Sequence, residues 1–194
     1  MVEIMAGFHR SDYEKMYRKL TTICTRMELR KAIHRAAQRA AEAGVTATKK
    51  EISTETTMKS TKVAESVKKY VYGSPITDFA IGVKISDRPR PLADYKFLPK
   101  APKPGVVPTI EIYKGKKYRL SEGPFVQKMP SGHIGVFHRV GEKRLPIREL
   151  VGPSITGIFK ANENIHGAVW DKIFETFEKR IISELHYVLE IENK

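Results

Sequence analysis

Apolar residues are spaced differently in different parts of the chain, and each spacing predicts its own kind of element. From Arg26 to Ala43, Leu29, Ile33, Ala36, Ala37 and Ala40 recur at helical intervals, so at about 100° per residue they share one side of a helix. Gly44 reads as the stop signal. A second helical stretch is expected over Lys49 to Tyr70, weakened by Thr54, Thr56, Thr57 and Thr61. After Gly73-Ser74-Pro75 the period drops to two. Phe79, Ile81, Val83 and Ile85 alternate with smaller or polar residues, which predicts a strand.

Residues 87–108 hold Pro89, Pro91, Pro99, Pro102, Pro104 and Pro108, six of the eleven prolines, and are expected to form a long extended loop. Such a loop inside a compact domain tends to be functional or mobile. Lys96, Lys100 and Lys103 make it basic, and Tyr95 and Phe97 can anchor it. Beyond it, Ile110, Ile112, Tyr118 and Leu120 keep one parity around Lys114-Gly115-Lys116, as in a hairpin turning at its glycine. Short strands are expected near Phe125–Met129, His133–Val140 and Arg144–Ile147. From Ile165 to Leu189, Ile165, Val169, Ile173, Phe177, Ile181 and Leu185 stand four apart, with Phe174 and Val188 widening the stripe of a long amphipathic helix.

No βαβ alternation and no internal repeat is present. The order therefore predicts a single α+β domain over residues 1–194, with an antiparallel sheet packed against N-terminal helices and a long C-terminal helix. Its parts are helical over 10–72, strand-rich over 76–148 and helical over 153–191.

Composition narrows the function. With 41% apolar residues the chain has enough to bury a core, and its apolar stretches are interrupted by charge well short of the roughly 20 residues of a membrane span. Met1 to Arg10 does not read as an export signal, so synthesis and action inside a cell are expected. Cys24 is the single cysteine, which excludes an internal disulfide and a multi-cysteine metal cage. Lys and Arg outnumber Asp and Glu by 35 to 22, leaving a net charge of +13 that attracts polyanions or acidic protein faces. Lys31, Arg35 and Arg39 form a positive stripe opposite the apolar side of the first helix. That stripe is either a solvated face or a contact for DNA phosphates or an acidic neighbouring subunit. The alanines at 36, 37, 40, 41 and 43 let another helix approach closely.

Candidate chemistry is sparse. His133 and His138 stand five apart in a strand, which sends them to opposite faces, and His9, His34, His166 and His186 lack zinc-motif spacing. Gly115-Lys116 ends like a phosphate loop, but Ile110 stands where its first glycine belongs and Lys117 where Ser or Thr belongs. Gly152-Pro153-Ser154-Ile155-Thr156-Gly157 fails as a nucleophile elbow because the second glycine comes late and a proline precedes the serine. Ser154 reads instead as a helix N-cap. The expectation is a protein without catalytic residues, cofactor or metal.

The most distinctive run is Gly132-His133-Ile134-Gly135-Val136-Phe137-His138-Arg139-Val140, followed by Arg144-Leu145-Pro146-Ile147-Arg148-Glu149-Leu150 and Gly152-Pro153-Ser154. With a helical Ala- and Arg-rich region before it and a long helix after it, this run resembles the minor tail protein Z family of lambda-like and related prophages. The resemblance is specific over about 124–160. It rests on the Val136-Phe137-x-Arg139 step and on the step from Leu145 to Ser154. The proline-rich stretch 87–108 and the hairpin after it depart from the family pattern.

The resemblance implies a fold similar to phage neck and tail-completion proteins and a structural, non-enzymatic role. The protein would join the head-proximal end of an assembled tail and make it competent for head joining. Its partners would be copies of itself in a ring, commonly hexameric, around the DNA channel, together with other tail and head-completion proteins. Its location would be the virion tail or neck, reached from the host cytoplasm during assembly. Phe137, Arg139, Leu145, Pro146, Ile147, Glu149, Leu150, Gly152 and Pro153 are then candidates for a subunit interface or for a corner that holds the fold. Lys31, Arg35, Arg39, Lys96, Lys100 and Lys103 are candidates for contact with channel DNA or an acidic partner. The alternative function is non-specific nucleic-acid binding through the basic helix face and loop.

Overall fold

The alanine-rich amphipathic stretch folds as α1 (Arg26–Glu55) in a computed structural model that describes residues 2–6, 26–74, 78–121 and 123–192. Leu29, Ala32, Ile33, Ala36, Ala37, Ala40 and Ala41 are fully buried along it, as the period requires. Gly44 does not stop the helix. A Cβ there would lie 2.7 Å from Ile173 Cδ1 and 3.2 Å from Val83 Cγ1, so glycine is what lets the strand and helix residues press against α1. An interior glycine costs about 1 kcal/mol in helix propensity, which this close packing offsets.

The expected second helix also changes. Residues 49–55 are helical as the end of α1, the helix breaks at Thr56 and Thr57, and after a short α2 (Ser60–Ala64) the chain enters β2 (Val67–Ser74), so the helical segment 10–72 is corrected over 67–72. Val67, Tyr70, Val71 and Tyr72 are β-branched or aromatic, and β2 pairs antiparallel along its whole length with β3 (Asp78–Ile85). Residues 7–25, with His9 and Cys24, lie outside the described residues.

Two compact units result. The first comprises Met1–Thr48, Val67–Ile85 and Glu163–Lys194. In it, β1 (Val2–Ala6) and β2 flank β3 in an antiparallel sheet, and Ile81, Val83 and Ile85 are buried. The helix α4 (Glu163–Glu192) follows, with Ile165, Val169, Ile173, Phe177 and Ile181 buried. A strict four-residue row drifts by about 40° per step on a helix, so Leu185 is only half-buried and Val188, seven after Ile181, returns to the buried side. Phe79 and Phe177 meet with ring centroids 6.4 Å apart.

The second unit comprises Lys49–Ser66 and Ser86–Asn162. Its proline-rich segment is the irregular stretch expected over residues 99–108 but not over 90–98. It contains β4 (Arg90–Pro91), a 3-10 turn at Leu92–Asp94 and β5 (Lys96–Leu98). Leu92, Tyr95 and Phe97 are buried and override the prolines; Pro91 sits in a two-residue strand where it need not donate. β5 joins β6 (Thr109–Glu111) and β7 (Lys117–Arg119) in one sheet, with Ile110 opposite Tyr118 and Gly115 at φ +81 in the turn. β8 (Phe125–Lys128), β9 (Ile134–Arg139) and β10 (Ile147–Glu149) form another. β10 starts where the expected strand ended, after Pro146, whose carbonyl accepts the Val140 N–H. β11 (Val151–Gly152) pairs with β4, and α3 (Ile155–Lys160) follows. All these pairings are antiparallel, and the fold is α+β.

Candidate functional site

Residues 134–160 make a corner whose members divide into those that hold it and those that face outward. Phe137 is buried, 6.5 Å from the Phe125 ring and edge-on to the His133 ring at 6.3 Å. Leu150 donates its N–H to Val136 O at 2.8 Å and accepts from Leu92 N–H at 3.0 Å, stitching β9 to the 3-10 turn. A Cβ on Gly152 would stand 3.0 Å from Tyr95 Cε2 and 3.1 Å from Leu92 Cδ2. The missing side chain admits the Tyr95 ring, whose hydroxyl donates to Pro153 O at 2.6 Å. Burial pushes the Tyr95 hydroxyl far above the ordinary tyrosine pKa and keeps it protonated as a donor. Ser154 caps α3 by accepting from Gly157 N–H at 3.0 Å, as its sequence context predicts. Pro153 therefore precedes the cap and does not open the helix itself.

Asp87 and Arg90 fasten the same corner from below. Asp87 Oδ2 accepts from Arg90 Nε at 2.9 Å and from the Ile155 N–H at 3.1 Å. Arg90 reaches Glu65 at 3.2 Å and Asp94 at 3.6 Å, and its guanidinium also donates to Ser66 Oγ at 2.5 Å. Burial pulls its pKa down, yet the hydrogen bonds to Asp87 and Glu65 hold it above the ordinary arginine value.

The outward members differ. Arg139 lies with its guanidinium 5.0 Å from the Phe125 ring centroid. Glu149 Oε1 sits 2.7 Å from His133 Nε2, a pair that crosses β9 at Gly135, where a Cβ would meet the carboxylate at 2.5 Å. Ile147 is half-buried and Pro146 exposed. Leu145 is 67% exposed, Val151 56% and Val140 47%. Val151 helps to line a groove of about 410 Å³ together with Ile110, Ile112, Tyr118, Leu120 and Leu150.

His133 and His138 are not brought together: His138 Nδ1 lies 3.1 Å from Arg139 O. Among the described residues no group of His, Cys, Asp or Glu is placed to hold a metal, and no helix is long and apolar enough to cross a membrane.

The basic candidates separate as well. On α1, Arg35 Nε is 2.5 Å from Glu184 Oε2 and Arg39 is 3.7 Å from Glu42, which also holds Lys69 at 3.0 Å. Lys31 is exposed. Much of the helix stripe's charge is thus engaged within the first unit. In the second unit Lys96 pairs with Glu111 at 2.9 Å, Lys100 Nζ lies 4.1 Å over the Phe97 ring, and Lys103 is exposed. Burial, with Lys59 and Lys96 nearby, lowers the Lys100 pKa. Hydrogen bonds from Lys96 and the Gly115 N–H hold the Glu111 carboxyl below its usual range.

Sequence reading missed Lys59, Lys117 and Arg119. The signal for two of them was in the hairpin itself. The parity that carries Ile110 and Tyr118 to one face carries Lys117 and Arg119 to the other. Comparison of the chain with protein-family models, with curated proteins and with solved structures returned no significant match.

Proposed function

We propose that this protein is a structural component of a bacteriophage tail or neck, acting in tail completion and head–tail joining at the head-proximal end of the tail. The observation that carries the reading is the split within the corner. Its inner residues are pinned by Tyr95, Leu92 and Asp87, while Leu145, Val151 and Val140 stand bare on its outside. A rigid corner with uncovered aliphatic side chains is suited to being covered by another protein. The run that builds it is also the run that resembles the minor tail protein Z family.

A second copy is the occupant we assign. The same unit carries exposed aliphatic knobs at Leu145 and Val140 and an apolar groove with Val151 in its wall, two unlike surfaces that a head-to-tail contact mates, and a rotation that closes makes a ring. A hexamer is the size the resemblance implies. Neighbouring tail and head-completion proteins would then meet the ring's two faces.

The test is the mass of the purified protein across a concentration series, alone and with tails assembled without it. A ring in solution, or a monomer that becomes a ring on tails, is expected. Leu145→Asp with Val151→Asp should leave the circular dichroism and melting of the monomer unchanged and abolish the ring and tail completion. A wild-type protein that stays monomeric and ignores tails overturns the reading.

A further inference from the structure

We propose that the exposed face of the β5–β6–β7 sheet binds the phosphate backbone of nucleic acid without reading its sequence. Register builds this face. Lys96 lies opposite Glu111, which lies opposite Lys117; Leu98 lies opposite Thr109, which lies opposite Arg119. Alternation puts these residues on one side, with Phe97 and Ile110 buried on the other. Lys96, Lys117 and Arg119 are exposed. Strand spacing sets Lys117 and Arg119 about 7 Å apart along β7, and Lys96 about 10 Å from Lys117 across the sheet.

Two further cations border it. Lys100 rests against the Phe97 ring at 4.1 Å, on the other side of β5, and stands close enough to Lys59 and Lys96 for these charges to oppose its protonation. Against these charges the face offers Glu111 at its centre, a buried carboxylate bonded to Lys96 and the Gly115 N–H and also attracted by Lys117. Among the described residues Lys59, Lys100, Lys117 and Arg119 hold no ion pair. The sheet is fastened beneath them: the Thr57 hydroxyl accepts from the Lys96 N–H at 3.0 Å and donates to the Glu111 carbonyl. A fixed cationic surface with little internal compensation gains from displacing the counterions of a polyanion. Lysine ammonium groups are point charges that reward phosphates over base edges, so no sequence preference follows.

Nucleic acid is preferred over an acidic protein because the cations of β5 and β7 recur at the fixed spacing of paired strands, a pattern suited to a regular line of charge. Register and charge support this binding independently of the tail-completion reading. Its test is the affinity for a mixed-sequence DNA duplex by fluorescence anisotropy over a salt series, with polyglutamate as competitor. The combined variant Lys59→Gln, Lys100→Gln, Lys117→Gln and Arg119→Gln should reduce the slope of log K against log salt by about three to four, at about 0.9 for each phosphate no longer neutralised. Lys31→Gln with Arg39→Gln on α1 should leave it unchanged.

Should the combined variant not fold, Lys117→Gln and Arg119→Gln made singly on the exposed β7 should each lower the slope by about one. An unchanged slope in folded sheet variants overturns the proposal. So does competition by polyglutamate as strong as by unlabelled duplex, which would identify an acidic protein as the partner. Because the readout is DNA affinity and not oligomer mass, failure here leaves the ring test standing.

Discussion

Removing the Arg90 side chain should loosen the corner by an amount the structure lets one bound. Arg90 is 13% exposed in its side chain, and its nearest carboxylate, Asp87, is 8% exposed. Arg90→Ala strands that carboxylate with the Ile155 N–H as its remaining backbone tie apart from the adjacent Arg88 N–H, and it strips the donors from Ser66 Oγ and Lys62 O. Breaking a well-buried pair costs about 3–5 kcal/mol, and each neutral acceptor left unmet about 1 kcal/mol. Glu65, 51% exposed, recovers its hydration and contributes little. Water also reaches part of Arg90 itself, so the loss should be about 2–4 kcal/mol. For a chain of this size that is a melting temperature lower by about 4–16 °C. Calorimetry gives the melting, and amide exchange at Ile155 tells whether the start of α3 opens locally. Arg90→Lys, which keeps the charge without the fork, should lose about half as much. A melting point within about 1 °C of wild type and unchanged protection at Ile155 would refute the assignment of Asp87 and Arg90 as the corner's fastening.

Tyr95→Phe removes the donor to Pro153 O and should cost about 1–2 kcal/mol; a melting point equal to wild type would mean the hydroxyl is idle. The carboxyls of Glu42, Glu65 and Glu111 sit below their ordinary 4.5, chiefly through hydrogen bonds from Lys69, Lys62 and Lys96 respectively. A depressed carboxyl stabilises the fold fully above its unfolded value and loses that contribution as pH falls through its folded value. The melting temperature should therefore drop from about pH 5 to about pH 3, and one that holds or rises over that range contradicts the pairing.

How much of this was legible depended on whether a residue's neighbours were local. The buried faces of α1 and α4 were readable because helical period brings residues three and four apart together. Gly44 was misread because the atoms that need its missing Cβ, on Ile173 and Val83, are distant in sequence. The β2 strand was missed because lysines at 62, 68 and 69 sustain a helix-like polarity, and only pairing with β3 decides the outcome. The strands of 90–98 were hidden by prolines whose cost depends on which edge they occupy, whereas the irregular backbone of 99–108 was readable from its four prolines. At the corner, the Ser154 cap and the order of strands were readable, whereas the Asp87 bond to Ile155 spans 68 residues and was not.

In the unit that carries the corner, the apolar groove and the cationic face lie on opposite sides of one strand. β7 is only Lys117, Tyr118 and Arg119, yet it serves both surfaces. Tyr118 enters the apolar groove beside Leu120 and Val151, and the flanking cations point the opposite way because strand alternation allows nothing else. A neighbour seated in the groove would cover Tyr118, now 51% exposed, and leave Lys117 and Arg119 in water. A basic residue at 118 would instead put a charge among Ile110, Ile112 and Leu120, where desolvation opposes it. The alternation of a three-residue strand thus puts the cations on one face and the groove's apolar wall on the other, as the proposed docking of a second copy requires.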